Sequence, residues 1–64
     1  MSKFKINYFF EKDFQVSRPI EVENISEAIQ DAKDQEGMIE FTGEDNVFYK
    51  FDTKDIKLVT ITEA

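Results

Sequence analysis

With neither cysteine nor histidine in the sequence, acid–base or nucleophilic chemistry would fall to the carboxylates, Ser2, Ser17, Ser26, the threonines, the tyrosines and the lysines. None of these stands in a recognised catalytic spacing, so the chain reads as a non-enzyme without catalytic residues. The usual nitrogen and sulfur ligands of a structural metal are also missing. Gly43-Glu44-Asp45-Asn46 lacks the alternate-position ligand series of a calcium loop and reads as a solvated turn. No cofactor and no metal are expected.

What remains is binding. Between Glu21 and Asp45 nine acidic residues face the single Lys33, a net of −8 that leaves +2 for the rest of a chain whose formal charge is −6. A net acidic surface repels phosphate backbones, so direct nucleic-acid binding is not expected. Two binding chemistries stay open. An acidic helix surface built from Glu27, Asp31 and Asp34, or exposed sheet aromatics such as Phe9 and Phe48, would engage a larger protein, with mimicry of DNA against a basic cleft as one form of this. Alternatively Arg18, Lys50, Lys54 and Lys57, which lie outside the acidic middle, would meet the phosphates of an anionic nucleotide while Phe48 or Tyr49 stacks on its base. Each of these charges also has the plain reading of a solvated surface group that keeps a small domain soluble.

The elements that must position these groups are legible from periodicity. Asn24 to Gly37 reads as a helix: Ile25, Ala28, Ile29 and Ala32 fall on one face, and Glu27, Gln30, Asp31, Lys33 and Asp34 cover the remainder. Asn24 is the expected N-cap, Glu27 closes a capping box, and Gly37 takes the left-handed C′ position. Residues 3–10 alternate, with Phe4, Ile6, Tyr8 and Phe10 on one side and Lys3, Lys5, Asn7 and Phe9 on the other. After the polar break Glu11-Lys12-Asp13, Phe14, Val16, Ile20 and Val22 restore a period of two, interrupted at the same parity by Arg18. Because Pro19 cannot donate to a ladder, this second strand should be an edge strand or break near Arg18-Pro19. Residues 38–41, 47–51 and 56–62 read as three further strands separated by polar turns. The fold class expected is α+β in the order β-β-α-β-β-β, a single domain over residues 1–64, with strands 1 and 2 as a hairpin, strands 3 to 5 as an antiparallel meander, and the helix on one face of the antiparallel sheet.

A core of this size rarely supplies more than about 3–5 kcal/mol, and without disulfide or metal the remaining means of stabilisation is self-association. Nine aromatics need burial, and strands 1, 4 and 5 carry large apolar groups at both parities. Either bulges shift the parity and tuck the rings into one core, or an apolar second face forms an interface. A homo-oligomer, with a dimer favoured, is the expectation. No stretch approaches a membrane span, and the N-terminal MSKFKINYFF lacks the apolar core of a signal peptide, so a cytoplasmic setting is expected.

The closing DTKDIKLVTITE, a polar turn feeding a β-branched last strand, and the compact layout rich in Lys, Ile, Phe, Asp and Asn resemble the small accessory proteins of bacteriophages and prophages of Gram-positive bacteria. The resemblance covers the layout and that segment and carries no functional residue across. It implies a viral protein of the host cytoplasm that binds and inhibits a host enzyme or defence component, or sequesters a signal molecule. Protein binding is the expectation taken first, because it needs fewer special placements, and the nucleotide sponge is its alternative.

Overall fold

A computed structural model describes residues 2–11 and 13–64; Met1 and Lys12, the latter within the expected polar break, lie outside the described residues. The elements are β1 (Ser2–Phe9), β2 (Gln15–Val22), α1 (Ile25–Asp34), β3 (Met38–Thr42), β4 (Phe48–Asp52), a 3-10 turn (Thr53–Asp55) and β5 (Leu58–Glu63). The fold class is α+β in the order β-β-α-β-β-β, and every strand pair is antiparallel. No helix of the described residues is long and apolar enough to cross a membrane.

The pairing corrects one expectation. Strands β3, β4 and β5 do not form a meander: β3 and β4 make a two-stranded sheet of their own, and β5 returns to the free side of β1, giving a three-stranded sheet in the order β2-β1-β5. Burial explains why β1 takes the centre. Phe4, Ile6 and Tyr8 are all buried on one face, and Asn7 between them is buried on the other. A strand dry on both sides has to be flanked on both sides. Asn7 Nδ2 donates to the hydroxyls of Thr60 and Thr62 at 3.1 Å each, and Ser17 Oγ donates to Asn7 Oδ1 at 2.7 Å. The centre of this sheet's second face is therefore a satisfied polar ladder, with Phe9 opposite Leu58 at one end. Of the nine aromatics only Phe14 and Phe48 are exposed.

β2 is an edge strand, as Pro19 required, but it runs unbroken through Arg18-Pro19, with Pro19 opposite Lys5. Asn24 Oδ1 accepts from the Glu27 N–H at 3.1 Å, which caps α1 as expected; Glu27 Oε1 reaches one residue further back and accepts from the Glu23 N–H at 2.9 Å. The C-terminal end differs. Gln35 ends the helix in extended geometry, and the left-handed residue, Gly37 (φ 79°), follows two positions later. There its C=O accepts from the Thr53 N–H at 2.8 Å and its N–H donates to Thr53 Oγ1 at 3.0 Å, tying the start of β3 to the turn after β4.

α1 is also rotated from its expected seat. Ala28 alone is buried, while Ile25 and Ile29 are exposed. The contact line runs instead through Ala28, Asp31, Ala32 and Gln35, again at helical spacing, because two polar bonds anchor it. Arg18 Nη2 holds Asp31 Oδ1 at 2.6 Å, and Tyr8 Oη donates to Gln35 Oε1 at 3.2 Å. Arg18, the residue that broke the apolar parity of β2, thus faces the helix and fastens it to the sheet. The core below consists of Ile6, Tyr8, Phe10, Val16 and Ile39, with Phe41, Tyr49 and Phe51 of the small sheet packed against it.

Candidate functional site

The connection from β1 to β2 turns sharply. Asp13 adopts a left-handed conformation (φ 69°), the Phe10 N–H donates to the Phe14 C=O at 3.2 Å, and the Phe14 N–H donates to the Glu11 C=O at 3.0 Å. This places the Phe14 ring 5.5 Å from Phe10 and leaves it 54% exposed. Phe10 in turn meets Phe51 edge-on at 4.9 Å. On the opposite side β4 ends in Asp52, whose carboxylate accepts from the Lys54 N–H at 2.9 Å and caps the 3-10 turn. The Lys57 N–H then donates to the Phe9 C=O at 2.8 Å, which brings the chain back alongside β1.

Between these segments lies a groove of about 770 Å³. Phe10, Phe14, Tyr49 and Phe51 supply its aromatic surface, and Lys50, Lys54 and Lys57 stand around it with Glu11 and Asp55. Three of the four cations expected for an anionic ligand therefore converge, together with the expected Tyr49. Among the described residues the carboxylate pairs within 4.0 Å are Lys5–Glu44 and Arg18–Asp31, so none of the three groove lysines is engaged by one. Its volume falls within the range of small-molecule sites, about 300–1,000 Å³.

The fourth cation is placed elsewhere. Arg18 is committed to Asp31 and donates from Nε to Tyr8 Oη at 3.1 Å, with its side chain only 17% exposed. Burial opposes its charge, but the hydrogen bonds to Asp31 and Tyr8 prevail and hold the guanidinium above its usual pKa. The same pair corrects the reading of Asp31 as an outward group. Glu27 and Asp34 are exposed on α1, Glu27 in the capping contact and Asp34 accepting from Gln30 Nε2 at 2.8 Å. Phe9 is half-buried on the sheet face away from α1, and Phe48 is exposed on β4. These residues do not assemble into one surface as the lysines do. Phe48 is not part of the groove; Phe14, which sequence periodicity placed inside the second strand, takes that role.

Tyr49 Oη donates to Asp45 Oδ2 at 2.7 Å, and its ring stacks on Phe41 at 5.2 Å. That bond raises the Tyr49 pKa, since a phenolate would face a carboxylate, and lowers that of Asp45. Tyr8 is raised as well, by burial against the opposing pull of Arg18. Both tyrosines of the chain thus hold their protons more tightly when folded. Raised pKa values contribute stability that is present below the ordinary phenol value of about 10 and is lost as pH climbs through the folded values. Phenolate absorbance of the native protein should rise at higher pH than that of the chain unfolded in guanidinium. Coincident curves would contradict the burial of Tyr8 and the Tyr49–Asp45 hydrogen bond.

No protein-family model, no curated protein and no solved structure matches the chain.

Proposed function

We propose that the protein is a non-enzymatic binding module whose aromatic groove holds a small anionic ligand with a planar ring, the chemistry of a nucleotide. The observation that carries this reading is the convergence of Lys50, Lys54 and Lys57, free of carboxylate partners among the described residues, on a groove faced by Phe14 and Tyr49. A planar base gains about 1–3 kcal/mol by stacking on an aromatic side chain. A phosphate gains charge-assisted hydrogen bonds from ammonium groups. The groove lysines outnumber its carboxylates in a chain of net charge −6, so the attraction is local and does not extend to a nucleic-acid backbone. In an accessory protein of the phage type, this activity would sequester a nucleotide signal in the host cytoplasm. The binding of a host protein through the acidic helix is the weaker reading, because Asp31 is pinned to Arg18 and Glu27 is used in the cap.

Calorimetry with adenosine monophosphate, adenosine and inorganic phosphate at low ionic strength tests the proposal. The nucleotide should bind more tightly than either part, because it engages rings and lysines together, and added salt should weaken it. If no member of a panel of purine and pyrimidine mononucleotides gives a saturable heat, the proposal fails.

A further inference from the structure

The three-stranded sheet ends on two unlike edges. β2 is guarded by Pro19 at its middle, whereas β5 reads Leu-Val-Thr-Ile-Thr-Glu, with no proline and no charge before Glu63. Such an edge is a template for another strand. The Ala64 N–H donates to the Lys3 C=O at 3.1 Å. By the alternation of an antiparallel ladder, Thr60 and Thr62 then turn their backbone groups toward β1, and Val59 and Ile61 turn theirs outward. Beside this edge, on the helix side, Ile25 (48% exposed), Ile29 (42%) and Val59 (41%) line a mostly apolar groove of about 460 Å³ with Ala32, Ile61 and, as its one charged member, Lys33. It lies open because the Arg18–Asp31 bond seats α1 along Ala28 and Asp31 and leaves its isoleucines on the β5 side.

We propose that a second copy of this chain closes that edge, β5 pairing antiparallel with β5 of the copy about a two-fold axis at Thr60. The outward backbone groups then meet, with Val59 opposite Ile61 of the copy and Ile61 opposite its Val59. Both lie on the helix side, so the two apolar grooves become continuous across the axis. The neighbouring registers fit less well: an axis at Ile61 sets Val59 against Glu63, and an axis at Val59 carries Ile61 past the start of β5 of the copy at Leu58. Only the axis at Thr60 gives both outward residues apolar partners, and the occupant is self-complementary, as a two-fold interface demands. Lys50 and Lys54, on β4 and the turn after it, take no part. The inference does not depend on a ligand.

Sedimentation equilibrium of the full chain from micromolar to millimolar concentration tests it. The expected mass is twice the 7.5 kDa of one chain. Val59→Pro removes an outward N–H without removing a bond to β1, and should leave a monomer with an unchanged circular dichroism spectrum. Ile29→Glu, on the exposed side of α1, should do the same and serves should the proline variant unfold. A wild-type chain that stays monomeric at millimolar concentration overturns the proposal. So does a folded Ile29→Glu variant that associates as tightly as wild type.

Discussion

Tyr8→Ala is expected to unfold the protein at room temperature. The ring is 2% exposed and packs on Phe51 at 5.1 Å, beside Ile6 and Val16 in the centre of the core. Truncating a buried aromatic to alanine costs about 3–5 kcal/mol, which matches the whole stability that a domain of this size commonly has. The hydroxyl adds to the loss, because it accepts from Arg18 and donates to Gln35, joining the two bonds that anchor α1. Tyr8→Phe separates the contributions: it keeps the ring, leaves Arg18 Nε without an acceptor, and should cost about 1–3 kcal/mol in urea unfolding while remaining folded. A Tyr8→Ala protein that melts like wild type would mean that the core is centred elsewhere.

Replacing Lys50 and Lys54 together by glutamine should weaken nucleotide binding by about 30- to 140-fold. Each ammonium contributes on the order of 1–1.5 kcal/mol, at or just below the lower limit of about 1.5 kcal/mol for a hydrogen bond to a charged group because both residues are exposed, and 1.4 kcal/mol corresponds to about tenfold. Phe14→Ala should remove the stacking contribution, about 1–3 kcal/mol, and leave the salt dependence intact. Reversing the charge of Glu27 and Asp34 should not weaken the ligand at all. The two sets of variants thus separate the groove from the acidic helix surface. Calorimetry on these proteins reads the difference, and equal affinity in the lysine double variant would remove the basis for the groove as the site.

The elements themselves were readable because periodicity and capping are local. Asn24, Glu27 and the alternation of residues 3–10 act over a few positions, and each appears in the structure close to its expected place. The destination of β5 was not readable in the same way. Sequential strands are usually neighbours, yet Ile61 lies opposite Ile6 and Thr60 opposite Asn7, a pairing decided by the need to flank β1. Its trace in the sequence is Asn7 in an apolar strand together with threonines at alternate positions of the last one. Arg18 announced itself by breaking the parity of β2, but sequence alone could not distinguish a ligand cation from a clasp. Lys50, Lys54 and Lys57 were visible as cations outside the acidic middle. That they surround one groove follows from the 3-10 turn and the return of the chain beside Phe9. Phe14 was missed because its spacing to Val16 suited a strand, while the left-handed Asp13 sets it in the turn.

The central claim, that the aromatic groove is the binding site, is tested most directly by titrating the isotope-labelled protein with adenosine monophosphate and following its amide resonances. The account predicts saturable shifts concentrated at Phe14, Lys50, Lys54 and their immediate neighbours, with the α1 amides near Glu27 and Asp34 unmoved. Saturable shifts confined to α1, or none at any nucleotide concentration, would contradict it.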